Sequence, residues 1–288
     1  MEENENGEVS RFGRSPFTKG LQPRVVLGLL FGGSLAGIWV THIADTLENR
    51  IVTWLLVVSV GVLVGGLYWR VALFDRSTFN NLEYCRYVQN RWERIEAVAV
   101  WGAILSGTAY VTFSMSNDPF GIVDLALAIA LICALAIWGG IRWYTDGSTR
   151  RRTVLRASLL LVAFGSLGSF AWLETGTSPF NWIVRLGHVG AFSLWIGGAV
   201  WHNFVVLPTI RTRPGTASPV KSQAQKFRRH LPIIIVLLAV SGAYQTDRLI
   251  GLSAPALLQS LLGHLIILKL LILVVLTGLV IASYKRAN

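Results

Sequence analysis

The chain has 288 residues, of which 53% are hydrophobic and only 14% charged, where a soluble domain carries roughly 25% charged residues. That composition excludes a soluble globular protein and predicts one embedded in a lipid bilayer. The formal net charge of +11 would suit a nucleic-acid partner, but the basic residues are distributed as a topology signal, so no nucleic-acid partner is expected.

Residues 1–22 are polar and acidic at the front (MEENENGE). They lack the basic region and short apolar core of a cleavable signal peptide and read as a disordered cytoplasmic tail. Eight apolar runs follow, near 24–43, 51–74, 95–114, 120–143, 153–173, 183–207, 230–248 and 258–283. Each is close to the roughly 20 residues needed to cross about 30 Å of hydrocarbon, and in lipid such runs satisfy their backbone only as helices. The expected fold is an all-α polytopic bundle of eight transmembrane helices. Twenty-two of the 26 Lys and Arg residues lie before or at the start of the first run, around the connections after the second, fourth and sixth, or at the end of the chain. The positive-inside rule then places both termini and those connections in the cytoplasm, in a multi-pass protein of the cytoplasmic membrane. Cys85 and Cys133 fall on a connection and mid-span, with no CxxC and no expected disulfide.

An internal repeat is legible. Gly-Gly-Leu-Tyr-Trp at 65–69 recurs as Gly-Gly-Ala-Val-Trp at 197–201, 132 positions later, and the Ser-Gly of 106–107 recurs at 241–242, 135 positions later. Residues 23–145 and 150–288 therefore read as two four-helix copies. An even number of spans per copy makes the repeat parallel, with its axis along the membrane normal. The copies differ in their histidines: His188 aligns with Leu56, His202 with Arg70, His230 with about Ile95 and His264 with about Ile129. The first copy is expected to be scaffold and the second to carry the chemistry.

His188 and His202 lie fourteen residues apart on one run. At 100° per residue they share a helix face, about 21 Å apart along the axis. At the outer level His188 has His264 and His42 as candidate partners; at the inner level His202 has His230. Imidazole ligates both haem iron and copper, and Gly197 and Gly198, flanked by Trp195, could floor a macrocycle. Lys269 lies near the middle of the last run, where a charge is costly and points to function; Asp124 and Asp247 are its candidate partners. A solvated or purely packing role for these side chains is the alternative.

The last three runs resemble the CopD copper-resistance membrane domain over about residues 184–286. The resemblance rests on His188, Trp195, Gly197 and Gly198, then Phe227 and Arg229, then Gly242 and Tyr244, then Gly263 and Lys269. It implies a protein without enzymatic activity that binds copper and moves it across the cytoplasmic membrane, beside a soluble extracytoplasmic copper-binding partner, with His188 and His264 as ligands and His42 assisting. Copper(I) favours sulfur ligands, yet apart from the initiator the one methionine is Met115. Histidine without sulfur also describes a bis-imidazole site, so the alternative is a b-type haem protein that passes electrons, with His202 and His230 at an inner haem. A structural role without cofactor is a third reading. A soluble-type hydrolase is not expected, because no Ser-His-Asp spacing, HExxH or P-loop is present.

Overall fold

The computed structural model describes residues 23–42, 45–73, 82–117, 121, 132, 136, 139, 149–176, 178–212, 217–251 and 253–285. Among them the elements are helical: α1 (Pro23–Thr41), α2 (Leu47–Tyr68), α3 (Leu82–Asn117), α4 (Thr149–Thr175), α5 (Pro179–Val200), α6 (Leu207–Thr212), α7 (Ala217–Ile250), α8 (Ala254–Gln259) and α9 (Leu261–Lys285). Two π-helical segments, Trp69–Leu73 and Trp201–Val206, continue α2 and α5.

Seven described stretches are long and apolar enough to cross a membrane: Arg24–Thr41, Leu47–Val71, Cys85–Phe113, Val154–Thr175, Pro179–Thr212, Gln225–Ile250 and Leu261–Ile281. They overlap seven of the eight predicted runs. The predicted fourth span, 120–143, lies outside the described residues except at four positions, as do the tail 1–22, Asp124 and Cys133. Apolar side chains face outward on the bundle, among them Ile233, Val236 and Val240 of α7 and Leu270, Leu271 and Val274 of α9. Among the described residues, large apolar side chains so exposed suit hydrocarbon better than water.

The helices depart from the predicted runs at their ends. α3 begins at Leu82 and α7 at Ala217, each more than ten residues before the run on which it was predicted. The added turns are rich in Arg, Lys, Glu and Gln, which leave the membrane but favour helix as strongly as apolar residues do. The last run breaks in two at Ser260, whose extended backbone separates α8 from α9. Gly263 packs its α-carbon against the Ala256 and Leu257 carbonyls, so close that a Cβ would overlap them. The corner therefore requires glycine there.

At the centre α2 and α5 run parallel and touch backbone to backbone. A Cβ on Gly65 would lie 2.0 Å from the Ser193 carbonyl oxygen, and one on Gly197 would lie 2.4 Å from the Gly65 α-carbon. One turn earlier Gly61 faces Ser193. Small residues four apart on both helices permit this approach, which brings in packing contacts that lipid cannot supply. The two helices are alike in detail. Each has 22 residues; Thr46 caps α2 by accepting from the Asn49 N–H, and Ser178 caps α5 by accepting from the Asn181 N–H. Each runs through Gly-Gly into a π-helical segment that opens on tryptophan.

The second glycine of each pair receives a ring from the next long helix: Trp92 of α3 lies over Gly66, and Phe227 of α7 over Gly198. The two tryptophans then cross over. Trp69 packs on Phe227 with ring centroids 4.5 Å apart, and Trp201 packs on Trp92 at 5.4 Å. The buried apolar cluster of the described residues, running from Leu27 to Leu276, crosses both predicted halves.

Candidate functional site

α4 ends at Thr175, and Gly176 follows with a φ of 64°. Glycine at that left-handed position closes a helix without strain. Glu174, in the last turn of α4, lies beside Arg185 of α5. Arg185 Nη2 donates to Glu174 Oε2 at 2.9 Å, and Arg185 Nη1 donates to Gln245 Oε1 of α7 at 2.8 Å. Tyr110 of α3 donates to the other Glu174 oxygen at 3.1 Å. His42, just past α1, brings Nε2 to 3.2 Å from Glu174 Oε2. Its Nδ1 is 2.8 Å from Asp45, which also accepts from Asn49 of α2 at 2.7 Å. Glu174, Arg185 and His42 are only 9%, 10% and 12% exposed, so this is a buried ionic chain, Asp45–His42–Glu174–Arg185–Gln245. It ties the ends of six helices together.

A carboxylate oxygen faces each nitrogen of His42, an arrangement suited to imidazolium, whose two ring N–H groups are both donors. Burial lowers the ring's affinity for protons, but the hydrogen bonds and charges of Glu174 and then Asp45 outweigh it and raise its pKa above the ordinary 6.5.

One turn below Arg185, His188 points Nδ1 at the Ser241 hydroxyl, 2.9 Å away. The Ser241 hydroxyl also lies within donating reach of the Leu237 carbonyl. Where it donates there, it accepts from His188 Nδ1–H, the tautomer that leaves the imidazole lone pair on Nε2. Gly242 lies beside the ring, at a distance where an added Cβ would make ordinary contact with His188 Cε1 at 3.5 Å. Lys269 of α9 lays its ammonium against Gly37 of α1, 3.1 Å from where a Cβ would stand. Among the described residues no ion pair joins Lys269 to a carboxylate. Asp247 ends up near the last turn of α7, its carbonyl accepting from Gly251.

The predicted histidine pairs do not meet. His264 is exposed, and its Nε2 lies 2.9 Å from the Leu258 carbonyl. It caps the end of α8 beside Gly263 and makes no contact with His188. At the other end of α5, His230 bonds the Lys226 carbonyl and packs edge-on against Tyr68 and Trp69. No hydrogen bond or ring contact joins it to His202. His42, placed with the outer ligands, has both nitrogens engaged by carboxylates on opposite sides of the ring, so Asp45 and Glu174 cannot share one ion with it. Among the described residues no three His, Cys, Asp or Glu side chains form a group able to hold a metal.

A macrocycle does not fit at Gly197 and Gly198, because the first is filled by the α2 backbone and the second by the Phe227 and Trp69 rings. Trp195 is fully buried and is a packing residue. Gly198 lies under the Phe227 ring, and Gly242 lies in contact range of His188.

Sequence reasoning missed Glu174, Tyr110 and Gln245 and passed over Arg185. The available signals were a lone carboxylate closing an apolar run and a lone arginine opening the next. No family model matches the chain, and no curated or solved protein is significantly similar to it.

Proposed function

We propose that the chain is a multi-pass membrane transport protein whose cargo is copper, the class implied by its CopD-like residues. The observation that carries this reading is His188, whose Nδ1 lies 2.9 Å from the Ser241 hydroxyl, a bond that leaves Nε2 to offer. Ligating histidines characteristically donate their second ring N–H to a fixed acceptor, usually a carboxylate, a backbone carbonyl or a water, and the Ser241 hydroxyl takes that place. His188 sits directly beneath the Asp45–His42–Glu174–Arg185 chain, which closes the bundle above it as an ionic gate. Lys269, against Gly37 of α1, adds positive charge near the ligand. A cation bound there is held weakly enough to leave, as conduction requires. In this reading His42 gates, His188 binds, and His264 belongs to the α8–α9 corner.

The matched caps, the matched π-helical segments and the crossed ring pairs of α2 and α5 support a parallel internal repeat about an axis through Gly65 and Gly197. By the positive-inside rule the His42 end faces outward in the cytoplasmic membrane, where a soluble copper-binding partner would deliver its ion.

The test is copper uptake into proteoliposomes, with copper and haem quantified on the same preparation. Uptake above that of empty vesicles, reduced at least about tenfold in both His188→Ala and Ser241→Ala while His264→Ala transports normally, is the expected result. Uptake indifferent to His188, in protein that still melts cooperatively, overturns the assignment. A reduced b-type spectrum lost in His188→Ala would replace it with electron transfer.

A further inference from the structure

At the end of the bundle away from His42, a cavity of about 370 Å³ opens between α3 and the π-helical segment after α5, lined by Tyr87, Asn90, Arg91, Arg94, Ile95 and Phe204. Its two arginines stand where α3 passes from charged to apolar sequence. Arg91 is fixed from two sides. Its guanidinium lies 5.0 Å from the centre of the Tyr87 ring. It also donates to the Phe204 carbonyl at 3.4 Å, which the proline at position 208 cannot serve from the next helical turn, because proline has no N–H. Arg94 is exposed and makes no ion pair among the described residues.

The nearby carboxylates are engaged elsewhere. Glu93 accepts from Gln89 at 2.9 Å and pairs with Arg156 at 3.6 Å. Glu96 is buried against Arg70 at 4.0 Å. Among the described residues the pocket thus holds two cationic groups and no anion in its lining. Phe204, 52% exposed at its mouth, gives the rim an apolar edge continuous with the outer surface of the bundle.

We propose that this pocket binds a phosphate group, and specifically the headgroup of an anionic phospholipid in the basic-side leaflet. Two guanidiniums supply forked donors to phosphate oxygens, Asn90 and Tyr87 line the polar wall, and Phe204 meets the acyl chains. Basic pockets at the ends of transmembrane helices recognise anionic headgroups in this way. The site rests on the membrane reading alone and is independent of the cargo.

Full-length protein, delipidated in detergent, would be titrated with phosphatidylglycerol, phosphatidylcholine or inorganic phosphate and read by native mass spectrometry. One tight phosphatidylglycerol, weak phosphatidylcholine and no displacement by inorganic phosphate are expected. In Arg91→Gln/Arg94→Gln, phosphatidylglycerol should bind about thirty-fold more weakly, the effect of removing two interfacial charges. Arg94→Gln alone, which breaks no bond in the fold, should give part of that loss, and Arg248→Gln at the far end of α7 none. Inorganic phosphate that binds by itself and displaces the lipid would keep the site and identify free phosphate as its occupant. Equal binding of the two lipids, or wild-type affinity in the double variant, overturns the proposal.

Discussion

Glu174 is a carboxylate at the end of an apolar helix, almost wholly buried, and it survives there because Arg185, Tyr110 and His42 meet it. Removing one member of a buried pair leaves the other charge uncompensated, at a cost of about 3–5 kcal/mol. Glu174→Gln should therefore lower the melting temperature of the detergent-solubilised protein sharply, and Glu174→Gln/Arg185→Gln should recover part of the loss. If the single variant melts like wild type, the ionic chain does not hold the bundle. His42 adds a pH dependence of known sign. Burial opposes its protonation, but Glu174 and Asp45 raise its pKa above 6.5, so the fold favours the charged ring. That stabilisation is fully present below the ordinary value and fades as pH rises through the raised one. Melting curves across that window should show wild type losing stability upward, with the step absent in His42→Gln. None of this was legible residue by residue. Each carboxylate, arginine and histidine stands alone in its own run, and only the folding of six helix ends onto one point pairs them.

At the scale of elements, the contact between α2 and α5 decides the centre of the molecule. The Gly-Gly pairs were visible as a sequence echo, but their use was not. Gly197 and Gly198 were a candidate floor for a haem in the alternative reading, and instead the α2 and α5 pairs admit each other and the rings that cover them. Gly65→Ala would drive its methyl into the Ser193 carbonyl and should strongly reduce the folded fraction in size-exclusion chromatography. Gly187→Ala, on the same helix pair with nothing within 4 Å of the added carbon, should be neutral or stabilise by about 0.5–1 kcal/mol. Equal behaviour of the two variants would refute the close crossing. The helix ends were misjudged for a related reason. Hydropathy marks where a helix leaves the lipid, while propensity and breakers mark where it stops, and no breaker interrupts the charged turns of α3 before Ile95.

For the whole molecule, the basic connections predict one orientation in the bilayer. In a background with Cys85→Ala and Cys133→Ala, Glu48→Cys at the His42 end should react with a membrane-impermeant thiol reagent on intact cells, and Asn90→Cys should react only after permeabilisation. The reverse pattern would invert the assignment and place the proposed phosphate pocket on the outer leaflet. The sequence by itself determined the helical class, seven stretches long and apolar enough to cross a membrane, and the echo between α2 and α5. These follow from composition and period, which every residue of a run reports together. Only the tertiary structure decided which histidines have partners, because a partner is set by the rotation and depth of two helices from distant parts of the chain. His188 and His264 share a predicted level, yet one faces Ser241 in the bundle and the other turns back to cap its own corner.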